Sequence, residues 1–388
     1  MHCSTCLDDI RHPLGQLLNK DGLCTGCVTH AEKNSINWDH KWQELDLRCK
    51  EILKTPRKGT YDCIIPLNAD AEDYYIVELA LKLKLKPLLV FVNNYFGTDI
   101  SWRNIHNLST QSDLDLQIFN PEFISYKEAV RSSLRKFNSI FWPYQALKTA
   151  YPVRMAIDLK IPLILWGGLQ ATEQVGKFSH YDRVEMSGWN RVQHDLLSID
   201  EKNFFGTGVQ LTEKKQYAYF YPQLKEAKKV IGLYMSNYVR WDPWKQNNDM
   251  LKYGFLPEEN LYTFDKFERA GSSVFYDFHD LLRFENHGYR KVRDHLSREI
   301  RHGRITLSNA RLLYKQYEGQ QFDIEPFFLW LGATKSGIKL FSNNRLSKNQ
   351  NLIGTNKSII NPKEMIKEGF FPDAMSSTQK FLTYYKGI

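Results

Sequence analysis

The sequence predicts an α/β protein made of a small cysteine-rich ribbon, a doubly wound parallel sheet and a helical C-terminal region. Three observations predict it. Four of the six cysteines lie within the first 27 residues, as the pairs Cys3/Cys6 and Cys24/Cys27. Between residues 61 and 187, short runs that are apolar throughout alternate with stretches of helical spacing, as in a parallel sheet covered on both faces. Beyond about Ser187 the strand signal fades and helical patterns continue. The expected units are a ribbon over 1–33, a helix and linker over 34–60, an α/β domain over 61–220 and a helical region over 221–388.

The cysteine spacing is that of a tetrathiolate zinc ribbon: each pair offers two thiolates from one tight turn, and four sulfurs leave no coordination position open for catalysis. The zinc expected on Cys3, Cys6, Cys24 and Cys27 is therefore structural. A redox Cys-x-x-Cys needs only one pair, and two disulfides need an oxidising compartment. His2, His12 and His30 are near enough to substitute as ligands. Of the leftover thiols, Cys49 and Cys63 read as small core residues.

After the ribbon, the apolar stripe of Ile36, Trp38, Trp42, Leu45 and Ile52 predicts a helix over 34–53, and Pro56 with Gly59 a linker. Strands are predicted at 61–67, 87–92, 114–119 and 161–166, separated by helices at 73–85, 100–108 and 126–157, the last broken near Pro143 and Pro152. Another helix is expected at 224–238, more from 285 to 317, and a surface loop over Ser342–Asn356. In such sheets ligands bind beyond the carboxyl ends of the strands. The loops after Leu67, Val92, Phe119 and Trp166 are the ones that should carry function.

Composition narrows the class. The 388 residues are 42% hydrophobic, with 23 Phe, 21 Tyr and 9 Trp, which predicts a globular protein. A net charge of +8, scattered along the chain, does not call for nucleic acid. The N-terminus has no basic segment followed by an apolar run, and no apolar run is long enough to span a bilayer. With free thiolates, this predicts a cytoplasmic protein without a membrane span.

The loop after the first strand, Asn68-Ala-Asp70-Ala-Glu72-Asp73, has three carboxylates and no glycine, lysine, serine or threonine. It could open a helix, with Asn68 or Asp70 as N-cap and Glu72 and Asp73 favourable to the dipole. Alternatively, its carboxylates could hold Mg²⁺. His106 and His295 are candidate proton carriers, although a helical histidine is more often a packing residue.

Several further segments stand in a specific order with the ribbon and its Asp21-Gly22. They are Ile36-Asn-Trp38, Tyr61-Asp-Cys-Ile-Ile-Pro66, Arg103-Asn104 with Leu108, Pro152-Val-Arg154, Ile161-Pro-Leu-Ile-Leu-Trp-Gly167, Asp294-His295 and Ile300-Arg-His-Gly-Arg-Ile305. In this order the chain resembles the N-acetyl sugar amidotransferase family, PP-loop ATP pyrophosphatases of surface-polysaccharide and lipopolysaccharide (O-antigen) biosynthesis. The resemblance implies an adenine nucleotide alpha-hydrolase fold and ATP with Mg²⁺. It also implies adenylylation of the acetamido oxygen of a nucleotide-linked N-acetyl sugar, then attack by ammonia to give an acetamidino group. Ammonia would come from a glutaminase partner working with a barrel-fold subunit, because free ammonia is scarce at neutral pH and the adenylate must be kept from water.

The resemblance makes Asn68, Asp70, Glu72, Asp73, Asn93, Gly167, Gly168 and Glu173 the nucleotide-facing candidates. It also exposes two departures. Family members carry Ser-Gly-Gly-Lys-Asp-Ser where this chain has Asn68 to Asp73, so that only Glu72 keeps its chemical type. They carry Gly-Glu-Asn or similar where this chain has Gly167-Gly168-Leu169. The loss of the lysine and glycines removes charge-assisted bonds worth about 1.5–3 kcal/mol each. Three readings follow: an enzyme with a rebuilt ATP loop, a non-catalytic scaffold or binding subunit of the same family, and a tRNA-modifying relative.

Overall fold

A computed structural model of the chain describes residues 2–54, 59–206, 208–209, 211–259, 262–268, 274–320 and 323–346. Five strands form one sheet: β1 (Cys63–Leu67), β2 (Pro87–Val92), β3 (Leu116–Phe119), β4 (Leu163–Trp166) and β5 (Ile231–Tyr234). Every pairing is parallel and the order is β3-β2-β1-β4-β5, with β1 at the centre. This is the doubly wound sheet the sequence predicts.

Alternation along β1 explains why both faces need cover. Cys63, Ile65 and Leu67 pack with Ile76, Val77 and Ala80 of helix α3 (Ala71–Lys82). Ile64 turns the other way, onto Val153 and Ala156 of helix α6 (Trp142–Asp158). Each fully buried aliphatic side chain stabilises by about 1.5–3 kcal/mol, so a one-residue register slip would forfeit both layers. Cys49 and Cys63 are buried core residues.

The sequence reading needs three corrections. The helix expected over 224–238 is a single turn, Leu224–Ala227, followed by β5. The apolar positions Leu224, Val230, Leu233 and Tyr238 are compatible with either period, and a four-residue strand is too short to separate them; pairing with β4 decides. The sheet therefore runs past residue 220. The stretch 126–157 is broken near Pro143 as expected, into Phe123–Phe137 and α6, with Pro143 opening the second. Pro152 does not break α6, where it is buried and costs one backbone bond. The loop expected at Ser342–Asn356 begins inside the helix Lys335–Leu346; its remainder, like linker residues 55–58, lies outside the described residues.

Of the C-terminal helices, Tyr276–His287 and Val292–Arg301 line the cavity at the carboxyl edge of the sheet, and Leu307–Glu318 packs with Val292–Arg301. The ribbon sits on the middle one. Asp8 accepts from Ser297 and Arg301, and Asp9 accepts from Arg293 at 3.1 Å. Arg301 also donates to the Gln174 carbonyl at 2.7 Å, and Thr25 donates to the Val175 carbonyl at 2.6 Å, so the ribbon is seated on the segment after β4. Gly176 is required there. Its φ is +62°, and a Cβ would lie 2.3 Å from the Thr25 carbonyl oxygen. Among the described residues, no helix is long and apolar enough to cross a membrane.

Candidate functional site

A cavity of about 630 Å³ opens at the carboxyl ends of β1 and β4, where the chain leaves the sheet in opposite directions. This is the switch point at which doubly wound sheets bind ligands. Of the residues singled out from sequence, Asn68, Asp70, Glu72, Gly167, Gly168 and Glu173 line it; Asp73 and Asn93 do not. Asn93 instead accepts the Tyr95 N–H through its Oδ1 and donates to Asn120, holding the turn after β2.

The first loop is folded around its own carboxylate. Asp70 caps α3, and Asp73 reaches back in a reciprocal capping box. The N–H groups of Asn68, Ala69 and Asp70 all donate to Asp73, at 2.8, 2.6 and 3.2 Å to Oδ2. Ala69 has φ +67°, which aims successive N–H groups at one point and makes an anion-binding nest. The helix-opening reading of this loop is thus the one the structure bears out, with Asp70 as the cap. Burial pushes the Asp73 carboxyl up to about 7, and the Asn68 and Ala69 N–H groups oppose that shift.

The second loop is closed in the same way. Glu72 Oε1 accepts the Gly168 N–H at 2.9 Å, and burial pushes this carboxyl up to about 7 as well. Glycine is needed at both positions. A Cβ on Gly167 would meet Glu72 Oε1 at 1.6 Å, and one on Gly168 would meet the Trp241 indole at 2.7 Å. Glu173, beyond this loop, is paired with the buried Lys33 at 2.5 Å, and Lys33 also donates to the Trp241 carbonyl.

Among the described residues, two groups have the donor set for a metal. The sulfurs of Cys3, Cys6, Cys24 and Cys27 converge, with Cys3 and Cys27 at 3.9 Å and Cys6 and Cys24 at 3.6 Å. Four sulfurs about 2.3 Å from a tetrahedral ion stand about 3.8 Å apart, so the cluster fits zinc. Backbone N–H groups of Thr5, Asp8 and Cys24 donate to these sulfurs, and Arg301 approaches two of them. Asp265, Glu268 and His295 also converge, yet their charges are already matched. Arg298 pairs with Asp265, Lys291 with Glu268, and His295 bridges Glu268 and Thr263. Burial opposes it, but Lys291 and His295 hold the Glu268 carboxyl well below the usual range. His295 is thus a packing and pairing residue at the cavity wall. His106 stacks near Trp102 and does not line the cavity. Asp70, Glu72 and Asp73 form no three-ligand cluster among the described residues.

Sequence reasoning missed the opposite wall. Lys148 of α6 and His194 and Asp195 of the single π turn Arg191–Asp195 face the same space. The buried Arg191 holds that turn against α6, donating to Thr149 Oγ1 at 2.7 Å and to the Ala146 carbonyl at 3.0 Å while pairing with Glu201. No motif marks these residues, and only the fold brings them to the cavity.

Residues 260–352 match the family model described as LPS biosynthesis protein WbpG-like, C-terminal domain. The matched segment includes the Val292–Arg301 helix that walls the cavity, and it supports the family resemblance drawn from the sequence. The uncharacterized protein MJ1599 of Methanocaldococcus jannaschii is 24% identical over 137 residues, 34% of this chain and 47% of its own. The chain thus spans about half the length of that curated relative. A solved structure of NMN synthetase from Francisella tularensis aligns over 50% of this chain and 91% of its own, at 12% identity and a TM-score of 0.30.

Proposed function

We propose that this protein, which carries a WbpG-like C-terminal segment, serves surface-polysaccharide biosynthesis as a binding subunit of the N-acetyl sugar amidotransferase type. It takes a nucleotide-linked N-acetyl sugar into the cavity at the ends of β1 and β4 and does not cleave ATP at its first loop. One observation carries the reading: the nest formed by Asn68, Ala69 and Asp70 is filled by the Asp73 carboxylate. A phosphate entering there would have to displace a covalently attached anion that already satisfies the N–H donors. The cavity itself remains, and its volume is in the range of sites that enclose small ligands.

In this reading the cytoplasmic setting supplies the sugar nucleotide. The glutaminase and barrel-fold subunits of the family are the partners it would organise, and activation of the acetamido group belongs to another chain. A second reading, ATP and Mg²⁺ handled by a rebuilt loop, is favoured by Asp70 and Glu72 both lining the cavity. Calorimetric titration separates the two. The expected result is binding of UDP-N-acetylglucosamine, with no ATP–Mg²⁺ binding and no pyrophosphate release when ATP, ammonia and the sugar nucleotide are combined. Tight ATP–Mg²⁺ binding with pyrophosphate release would establish the enzyme.

A further inference from the structure

The cavity is lined by seven Lys and Arg side chains, and six of them already have carboxylate partners. Lys33 pairs with Glu173, Arg191 with Glu201, Arg283 with Asp294 and Lys291 with Glu268. Arg298 pairs with Asp265 and Arg301 with Asp8. Lys148 is different: among the described residues it has no ion pair and no hydrogen bond, and its ammonium stands 5.8 Å from the centre of the Tyr144 ring. Its charge acts on Glu72, Asp73 and Asp195 without touching them.

The same cavity wall carries a second unmatched group. His194 is 7% exposed, lines the cavity, and has no partner at either Nδ1 or Nε2. A buried imidazole left without hydrogen bonds is costly unless something that enters the site completes it. Its ring meets those of Phe178 and Trp189 nearly at right angles, with ring centroids 5.6 and 5.9 Å away. It sits in a π turn, an irregularity that is frequent at functional positions. The Arg191 bonds to Thr149 and Ala146 fix that turn beside the part of α6 that carries Lys148.

From this geometry we infer that Lys148 and His194 form a phosphate-binding subsite on the α6 wall of the cavity, which takes the diphosphate of the ligand in place of the filled first-loop nest. Lys148 supplies the point charge, and His194 supplies a hydrogen bond to a phosphate oxygen or to the adjoining sugar hydroxyl. The subsite rests on the sugar-nucleotide reading for its natural ligand, but its chemistry can be tested separately. ATP could bring the same phosphate chemistry, so it is one arm of the test.

The full-length protein is titrated with inorganic pyrophosphate, UDP-N-acetylglucosamine, ATP without Mg²⁺ and uridine. The expected result is binding of the sugar nucleotide, weakened roughly ten- to a hundredfold in Lys148→Ala and largely restored in Lys148→Arg. His194→Ala should weaken it severalfold, and His194→Gln by less. Uridine, lacking phosphate, should not distinguish wild type from Lys148→Ala, and thermal melts of each variant establish that it folds. If wild type binds the sugar nucleotide and Lys148→Ala binds it equally well, the subsite is overturned while the functional reading stands. If wild type binds pyrophosphate or ATP through Lys148 but not the sugar nucleotide, the subsite stands and the functional reading fails. If wild type binds no phosphate probe, both fail.

Discussion

The Glu72 carboxylate accepts the Gly168 amide at 2.9 Å, so one side chain joins the two loops that diverge from the switch point. The contact is close enough that the neighbouring Gly167 has no room for a methyl group, whose carbon would stand 1.6 Å from Glu72 Oε1. Gly167→Ala should therefore destabilise the protein by about 2 kcal/mol through forced movement of Glu72. The double variant Gly167→Ala with Glu72→Ala should be more stable than additivity allows. Denaturant unfolding of the four proteins in the cycle measures the coupling, and simple additivity would show that the clash relaxes elsewhere.

Glu72 also makes stability depend on pH. Its carboxyl is raised from 4.5 to about 7, chiefly by burial. The folded protein therefore holds a proton that the unfolded chain releases, and this contribution is complete below about pH 4.5 and lost as pH rises through 7. Glu72→Gln stays neutral and keeps an acceptor for Gly168. Its melting temperature should match wild type near pH 4.5 and exceed it by about 4 °C at pH 8, for a difference of about 3 kcal/mol. Parallel melting curves at both pH values would contradict the shift.

Removal of the internal anion should uncover the nest. In Asp73→Ser the N–H groups of Asn68, Ala69 and Asp70 lose their acceptor, which costs about 2–4 kcal/mol. Added pyrophosphate should then raise the melting temperature of the variant more than that of wild type, because an anion that binds only the folded state stabilises it. An unchanged response would mean that the loop collapses when Asp73 is gone.

Arg301 holds the ribbon to the rest of the molecule through Asp8, which is completely buried. Arg301→Met leaves that carboxylate without its main cation and should cost about 3–5 kcal/mol. Elemental analysis should find one zinc per chain in wild type prepared without chelator, and none in Cys24→Ser. Wild type free of zinc would remove the metal from the ribbon.

The sheet was legible because β1, β2 and β4 are apolar on both faces, and runs such as Leu88-Leu-Val-Phe91 have no other use in a folded chain. β5 was not, because four residues next to a helical turn do not establish a period. The ribbon was legible from four cysteines alone. At the site, Asp70 announced itself as a cap, but Asp73 as occupant of a nest did not, since that role depends on the left-handed φ of Ala69, a conformation alanine rarely takes. Lys148 and His194 are 46 positions apart on unmarked segments, and that both line one cavity depends on how the π turn docks on α6.

The Val292–Arg301 helix has a second consequence. It presents Arg293, Ser297 and Arg301 to the ribbon and His295 and Arg298 to the cavity, and Lys33, just after the ribbon's helix Thr25–Glu32, reaches the cavity wall. The expected metal and the proposed ligand would share one supporting element, and any coupling of their binding free energies acts in both directions by the same factor. Chelation should weaken sugar-nucleotide affinity, and saturating ligand should slow zinc loss to a chromogenic chelator. Under the proposed function, occupancy of a site that does no chemistry would then tune the affinity of the one that holds the ligand.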